Sequence, residues 1–333
     1  MLPVDTVTPD APTLTAARSR PAPTLRQRLR LSPRWTPYVL LSPFFVLFLV
    51  FGTFPLLFSL YLAFQTWEPT SGLDAMQFVG WENFVFALED EWFWKSLRNT
   101  AWLAVASGVP QHLIGIPLAV FIHNAFKTLR NGVVGAYFLP YITSTVAIAI
   151  MFSSLLSTDY GLVNVALKSL GGLPGLGWLM PAENIDWLGQ PQNIKPAIAM
   201  IVFWRYLGFN VVLYLAALQT IPRDLYEAAT MDGAGRVQQF VHITLPSLKP
   251  MIFFGVTLSV IGGLQLFEEP FILTGGRGGS DQSGMTTAIY LYRMAFDFND
   301  FGAASAMSWL LFIVVVVLTW ATNRAFRPRG PSA

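Results

Sequence analysis

Six long apolar runs, separated by shorter polar stretches, constrain this chain more than any other feature of its sequence. The 333 residues are 53% hydrophobic and only 12% charged, whereas a soluble domain carries about a quarter charged residues. Each run exceeds the roughly 20 residues that a helix needs to cross the hydrocarbon core of a bilayer. The predicted spans are residues 38–64, 97–122, 133–156, 196–218, 250–273 and 301–322. The sequence therefore predicts an all-α integral membrane protein with six transmembrane helices.

The folded part is predicted to extend over residues 35–325, with a polar tail at either end. Residues 1–34 are rich in Pro, Thr, Ala and Arg and poor in large apolar side chains, so we expect a disordered basic tail. Residues 326–333 form a second basic tail. The first apolar run is too long for the h-region of a signal peptide and lacks a small-residue cleavage site, so we expect it to remain as a span.

Lys and Arg residues are distributed unevenly between the two sides of the predicted membrane. If the N-terminus is inside, 14 of the 21 lie on the inner side. These are Arg18, Arg20, Arg26, Arg28, Arg30, Arg34, Lys127, Arg130, Arg223, Arg236, Lys249, Arg324, Arg327 and Arg329. Because cytoplasmic loops carry an excess of Lys and Arg, we expect both termini and the segment 220–249 to face the cytoplasm.

The polar segment 220–249 separates the fourth and fifth runs. Pro222 is favourable at the start of a helix, because a backbone N–H in the first turn would have no partner within the helix. Asp224 follows in the first turn, where the helix dipole favours an anion. Gly233 marks a turn, and Pro246 is expected to end a second helix. That helix would carry a stripe on one face, formed by Val237, Phe240, Val241 and Thr244. The segment predicts a helical hairpin that contacts a partner at the membrane surface.

Several sequence motifs of enzymes are missing. There is no G-x-x-x-x-G-K-[ST] loop, so the chain is not expected to hydrolyse ATP itself. The three histidines lie far apart and form no H-E-x-x-H motif or triad-like spacing. The absence of cysteine excludes disulfides, thiol catalysis and Cys-based zinc sites. We therefore expect no enzymatic activity, no catalytic residue, no bound metal or cofactor, and no nucleic-acid partner.

The hairpin segment carries a motif that resembles a known family. Residues 227–234 fit the pattern E-A-A-x-x-D-G-A, which resembles the cytoplasmic coupling loop of ATP-binding-cassette (ABC) importer permeases. Further positions that extend the resemblance are Phe240, Ile243, Leu245, Pro246 and Pro250. Within this family, the chain is similar to one subfamily of sugar permeases, which includes the larger maltose-transporter subunit and the glycerol-phosphate permeases. The residues that carry this similarity are Trp204-Arg205, Leu215-Ala216-Ala217-Leu218-Gln219, Tyr226, Phe267, Leu273-Thr274-Gly275-Gly276 and Gly302-Ala303-Ala304-Ser305-Ala306. The resemblance covers roughly residues 38–322. The sequence departs from the pattern of the sugar permeases at Glu268-Glu269 and at Arg277.

The resemblance implies a type I ABC importer permease fold and a division of labour among subunits. The coupling loop would dock on an ATPase through Glu227, Ala228, Ala229, Asp232, Gly233, Leu245 and Pro246. The partners would be a second homologous permease, two ABC ATPase subunits that bind the ATP, and an extracytoplasmic solute-binding protein that delivers a sugar. The location would be a bacterial or archaeal cell membrane, with both termini inside.

Polar and aromatic residues in spans four and five are candidates for the sugar path. Ionisable groups inside a membrane are costly and commonly functional, and aromatic rings can stack on sugar faces. The candidates are Trp204, Arg205, Tyr206, Asn210, Gln265, Glu268 and Glu269. We expect the two glutamates in the outer third of span five. The alternative interpretation is that Arg205 pairs with one of them as interhelical structure.

Three other functions compete with the sugar permease. A permease of the same superfamily could import glycerol phosphate, a polyol or another small solute. An ion-coupled secondary transporter would need carboxylates deep within the spans, and the candidates are expected near the outer edge. A membrane enzyme is disfavoured because the sequence lacks a nucleophile or metal constellation.

Overall fold

The structure is a computed structural model that describes residue 32 and residues 34–125, 130–181 and 183–326. The predicted tails lie outside these ranges, apart from Ser32, Arg34 and Phe326. So does Lys127, which was assigned to the inner side. The described part of the chain is helical almost throughout, as the apolar runs predict.

The helices are α1 Thr36–Phe48, α2 Phe54–Leu62, α3 Glu82–Glu89, α4 Glu91–Ala125, α5 Arg130–Ile142, α6 Thr145–Leu155, α7 Leu162–Gly171, α8 Pro191–Leu218, α9 Arg223–Met231, α10 Arg236–Gln239, α11 Leu245–Leu264, α12 Glu268–Leu273, α13 Thr287–Phe296 and α14 Phe301–Phe326. Two short strands, β1 Gln65–Thr66 and β2 Gln77–Phe78, pair antiparallel in the segment between α2 and α3. In their register Gln65 lies opposite Phe78 and Thr66 opposite Gln77.

Residues up to Leu57 form one unit and residues from Phe58 onward form a second. In the first unit, α1 continues through the π-helical turn Leu49–Thr53 into the first residues of α2. None of the residues described in this unit is buried. A helix that exposes apolar side chains on every face is suited to lipid, where its backbone groups are satisfied internally.

The second unit is built around α4 and α8, which pack against each other along their lengths. One apolar cluster joins them near Leu103 and Ile198, and another near Ile122 and Leu218. Gly208 shows how closely the neighbouring helix α5 approaches α8, because a Cβ atom at this position would overlap the backbone of Tyr137. Polar side chains of α4 and α8, which form part of the site described in the next subsection, lie between these two apolar clusters.

The third predicted span is not continuous. Gly132–Ile142 and Thr145–Leu155 meet at 92°, at a break where Ser144 has a ψ of 128°. Pro140 removes a backbone donor one turn earlier, and the Thr143 hydroxyl donates to the Leu139 carbonyl at 2.8 Å. The predicted span 133–156 is therefore a bent pair of helices and not one helix. Five other helical segments and this bent pair are long and apolar enough, among the described residues, to cross a membrane.

The fifth span begins earlier than residue 250 suggested, because the helical segment long enough to cross a membrane runs from Arg236 to Leu273. Pro246 does not end a helix, because α10 runs through the π-helical turn Phe240–Thr244 directly into α11. The wider turn relieves the clash that a proline ring makes with the carbonyl four residues before it. The helix then breaks at residues 265–267, and α12 follows as a separate short helix.

Candidate functional site

The hairpin turn between α9 and α10 is closed by backbone hydrogen bonds. The Ala234 N–H donates to the Ala229 carbonyl at 2.9 Å, and the Gly233 N–H donates to the Thr230 carbonyl at 3.0 Å. This pair of bonds is the Schellman arrangement, which requires a left-handed residue after the helix. Gly233 has a φ of +78°, a conformation that glycine adopts without a steric penalty. The predicted glycine turn is confirmed.

Side-chain hydrogen bonds lock the two arms of the hairpin together. The hydroxyls of Tyr226 and Thr244 lie 2.9 Å apart. The Gln239 amide donates to the Thr230 hydroxyl and to the Ala234 carbonyl, both at 3.0 Å. These bonds join α9 to the start of the long helix and hold the hairpin in one shape.

The outer surface of the hairpin combines one carboxylate with exposed apolar side chains. Glu227 is exposed and has no hydrogen-bonding or ionic partner among the residues that the structure describes. Around it in the sequence, Met231 is 88% exposed, Val237 76% and Leu225 48%. The remaining members of the predicted docking set, Ala228, Asp232, Gly233, Leu245 and Pro246, are also exposed, and Ala229 is half-buried. Such a surface is unlike that of a solvated loop, in which the apolar residues turn inward.

The predicted apolar stripe on the second helix is only partly available to a partner. Val237 and Val241 are exposed, but Phe240 packs against the cluster around Leu218 and Thr244 is buried. The helix continues into the span, and its inner side is therefore taken up by contacts within the chain. The expectation that all four side chains face outward was wrong.

Inside the bundle, Arg205 and Glu269 form a buried ion pair. An Arg205 Nη atom donates to a Glu269 carboxylate oxygen at 2.5 Å, and the two residues are 9% and 2% exposed. The guanidinium carbon also lies 5.5 Å from the centre of the Tyr206 ring. Arg205 is in the middle of α8, about 21 Å from its start at 1.5 Å per residue. Glu269 is therefore buried inside the bundle, and of the two glutamates only Glu268 is exposed.

Glu269 lies in α12, which packs against α6 and α8. The carboxylate then reaches the centre of the bundle, where it compensates the only arginine within the described part of α8. The alternative interpretation of Arg205 as one half of an interhelical ion pair is thus what the structure contains.

A cavity of about 210 Å³ lies beside the ion pair. Its walls come from α4, α5, α8 and α11, and it is lined by polar and aromatic side chains among small residues. The polar ones are Ser107, Gln111, Asn210 and Ser259, and the aromatic ones are Tyr141, Tyr206 and Phe209. Sequence reasoning identified Tyr206 and Asn210 but did not identify Ser107, Tyr141 or Ser259 as part of a site.

Asn210 is the most informative residue of the cavity. Its amide nitrogen donates to the Gln111 side-chain oxygen at 3.1 Å and to the Tyr206 carbonyl at 3.2 Å. Its Oδ1 atom is buried and accepts no hydrogen bond within the described residues. An unpaired buried acceptor is costly, and this one is enclosed on the side of Gly255, so other atoms of the Asn210 side chain border the cavity.

The other predicted path residues do not line this cavity. Trp204 lies on the opposite side of α8, 39% exposed, with its ring 5.3 Å from that of Phe152. Gln265 and Glu268 are exposed at the break after α11 and in α12. No group of three or more His, Asp or Glu residues able to hold a metal occurs within the described ranges.

Comparison with known proteins identifies relatives that match most of this chain. The family model described as "Binding-protein-dependent transport system inner membrane component" matches residues 113–329, more than half of the chain. The lactose transport system permease protein LacF of Rhizobium radiobacter is 35% identical over 294 residues, which cover 88% of this chain and 94% of the relative. The arabinooligosaccharides transport system permease protein AraP of Bacillus subtilis is 32% identical over 295 residues, covering 86% and 87%.

Solved structures are similar over nearly the same extent. A chain of a bacterial ABC transporter involved in the import of the acidic polysaccharide alginate has a TM-score of 0.74 and 27% identity. The similarity covers 89% of this chain and 96% of that one. A second structure, the alginate transporter in complex with an alginate pentasaccharide-bound periplasmic protein, has a TM-score of 0.73.

Proposed function

Because the chain belongs to the family of inner membrane components of binding-protein-dependent transport systems, we propose that it lines the path of a sugar in an ABC importer. The resemblance predicted from the E-A-A motif is confirmed, as is the type I ABC importer permease fold. The chain is the permease subunit, and the cargo is a mono- or oligosaccharide, in keeping with the sugar importers among its relatives. We assign ATP binding and hydrolysis to partner subunits.

The hairpin is the proposed docking site for the ATPase. Glu227 offers a free carboxylate, and a cationic side chain on the partner would form a charge-assisted hydrogen bond with it. The exposed Leu225, Met231 and Val237 would enter an apolar groove, as amphipathic helices do in helix-in-groove recognition. Ala228 and Ala229 add no bulk beside the carboxylate, which lets the two backbones approach.

The two arms of the hairpin lead directly to the cavity. The first arm follows α8, which carries Tyr206 and Asn210, and the second arm is continuous with α11, which carries Ser259. A displacement of the docked hairpin would therefore move two walls of the cavity together. This rigid connection supports a mechanism in which closure of the ATPases alternates the access of the cavity between the two sides of the membrane.

The cavity is the proposed sugar contact, and its lining of hydroxyl, amide and aromatic side chains is the single observation that carries this assignment. Sugar hydroxyls would form hydrogen bonds with the side chains of Gln111 and Asn210, while Ser107 and Ser259 can both donate and accept. The rings of Tyr141 and Tyr206 would face the apolar C–H surfaces of a pyranose. Arg205 and Glu269 would hold the adjacent wall in position, because each is already paired with the other.

The pairing of Arg205 does not favour an anionic cargo such as glycerol phosphate. Its charge is compensated by Glu269, so no net positive charge faces the cavity from this residue. Ion coupling through Glu269 is likewise disfavoured, because protonating this carboxylate would leave a buried arginine without its counter-charge.

The proposed assembly contains this chain, a second homologous permease, two ABC ATPases and an extracytoplasmic solute-binding protein. The chain would have both termini in the cytoplasm, which places the hairpin on the side of the ATPases. The cell membrane of a bacterium or archaeon is the proposed location. The excess of Lys and Arg on that side of the sequence supports this orientation.

Uptake in proteoliposomes tests the proposed function. The complete transporter is reconstituted with ATP enclosed and binding protein outside, and uptake of labelled lactose and arabino-oligosaccharides is measured. We expect uptake that needs both ATP and the binding protein for at least one sugar. Uptake that persists without the ATPase, and follows an ion gradient instead, would identify a secondary transporter and contradict the proposal.

A cross-link tests the docking site separately. The chain has no cysteine, so a single Glu227→Cys variant can be paired with single cysteines in the helical groove of the ATPase. We expect a disulfide at this position and none with the control Lys168→Cys, which is exposed on α7. Equal cross-linking of the two would show that the hairpin is not the docking site.

A further inference from the structure

Helix α7 has its polar and apolar sides reversed relative to a helix of a soluble domain. Leu162, Val165 and Leu170 are 62%, 53% and 45% exposed, while Asn164 is buried at 2%. At ten residues, α7 is about 15 Å long and far too short to cross a membrane. It lies between the bent span and α8, and its exposed side needs an apolar environment.

The orientation of α7 is held by hydrogen bonds to Asn164. The Asn164 amide donates to the Ile185 carbonyl at 2.9 Å, and its oxygen accepts from the Trp187 indole at 3.1 Å. The amide also reaches the Ser157 and Thr158 carbonyls at 3.4 and 3.3 Å. One buried side chain therefore ties both ends of the loop to α7 and keeps the apolar side outward.

The apolar surface continues beyond the helix in both directions. After α7 come Leu173, Trp178 and Met180, which are 51%, 79% and 55% exposed. Before it, α6 exposes Val146 and Ile150. Because α6 belongs to the bent pair that is long and apolar enough to cross a membrane, its exposed side chains suit lipid, and the exposed side of α7 extends that apolar surface.

We propose that α7 and the turn that follows it lie on the outer surface of the bilayer, with Leu162, Val165 and Leu170 inserted among the lipid chains. Interfacial amphipathic helices bind in this way, and tryptophan is enriched at the same depth. The exposed Lys168 ammonium would contact lipid phosphate groups. A docking surface for the solute-binding protein is the competing interpretation, but a binding protein that must dissociate would meet a more polar surface. The proposal rests on the proposed membrane location, and its test does not depend on transport of any particular sugar.

Spin labels on single cysteines test the proposal in the complete transporter. The transporter is reconstituted in vesicles of phosphatidylethanolamine and phosphatidylglycerol, with a label at Val165→Cys or Leu162→Cys. A label at Glu183→Cys, exposed in the same loop, is the matched control. Collision rates are measured with oxygen, which concentrates in lipid, and with a water-soluble nickel chelate.

We expect the ratio of oxygen to nickel collisions to be several-fold higher at positions 162 and 165 than at position 183. Retained sugar uptake shows that the labelled variants are folded. Ratios at 162 and 165 equal to that at 183 would overturn the proposal. So would nickel access that is high in vesicles and falls only when the binding protein is added, because that result would identify the surface as a protein docking site.

Discussion

Two glutamates of this permease have opposite environments. Glu227, on the hairpin, is exposed and has no partner among the described residues, whereas Glu269, inside the bundle, is 2% exposed and bonded to Arg205. The first carboxylate is surrounded by exposed apolar side chains that the chain itself does not cover. The second is enclosed by α6 and α8.

This difference separates what the chain does alone from what it does in a complex. The bundle compensates its own charge, since an unpaired ion in the membrane is costly. The hairpin leaves its charge and its apolar surface uncompensated, and these become useful only when a second protein is present. Substitutions at the hairpin should therefore affect assembly with intact folding, and substitutions at the ion pair should affect folding first.

The largest effect on transport is expected from Gly233→Val. Valine is strained at a φ of +78°, so the closing bonds of the turn would be lost and Glu227 would be displaced. We expect uptake to fall at least a hundredfold and co-purification of the ATPase to be lost, while the permease still inserts in the membrane. Gly233→Asn is the control, because asparagine tolerates the left-handed conformation and should retain much of the activity. Normal uptake by the valine variant would show that the shape of this turn is not required.

The sharpest test of the bundle is Arg205→Met. This variant leaves Glu269 buried without its counter-charge, which costs about 3–5 kcal/mol when a buried pair is broken. We expect lower yield and a lower melting temperature of the purified transporter in detergent. The ATPase contact at the hairpin should be unaffected in the protein that does fold.

The double variant Arg205→Met, Glu269→Met distinguishes structure from sugar contact. Replacing both members of a buried pair by apolar residues is often neutral, so we expect stability and most of the uptake to return. A double variant that is stable but does not transport would mean instead that one of the two side chains contacts the cargo.

A smaller effect is expected at the cavity, from Asn210→Val. Loss of the side-chain amide removes one hydrogen bond to the sugar, worth about 1–2 kcal/mol, or roughly a tenfold weaker apparent affinity. Uptake is measured with the sugar and with its singly deoxygenated analogues. The variant should no longer distinguish the sugar from the analogue that lacks the hydroxyl bound by Asn210. If the variant discriminates as the parent does, the loss of affinity comes from packing alone.

The hairpin was largely predictable from the sequence, and the cavity was not. Pro222, Asp224 and Gly233 are local signals, and the structure uses each of them in the predicted element. Pro246 misled because a π-helical turn, which has no clear sequence signal, accommodates its ring. The apolar runs likewise predicted the helices but not the break after Thr143, where Pro140 was the available signal.

The position of Glu269 and the walls of the cavity depend on packing between distant segments. Glu269 is buried in an ion pair with Arg205, a residue 64 positions away in the sequence. Tyr141 reaches the cavity only because α5 packs closely on α8 at Gly208. Such contacts leave no periodicity in a single sequence, which is why Ser107, Tyr141 and Ser259 were not identified.

The smallest effect is expected from Tyr226→Phe, which removes one of the bonds between the two arms of the hairpin while leaving the docking surface unchanged. A single hydrogen bond between hydroxyls contributes about 1 kcal/mol, so we expect the ATPase still to bind and uptake to fall only several-fold. The informative quantity is the ratio of sugar imported to ATP hydrolysed. Looser arms would lower this ratio, because ATP would be hydrolysed without sugar transport while the ATPase stays bound. Thr244→Val removes the other partner of the same bond, and the double variant should be no worse than either single one. Additive losses in the double variant would show that the two hydroxyls act separately and that the bond between them does not join the arms.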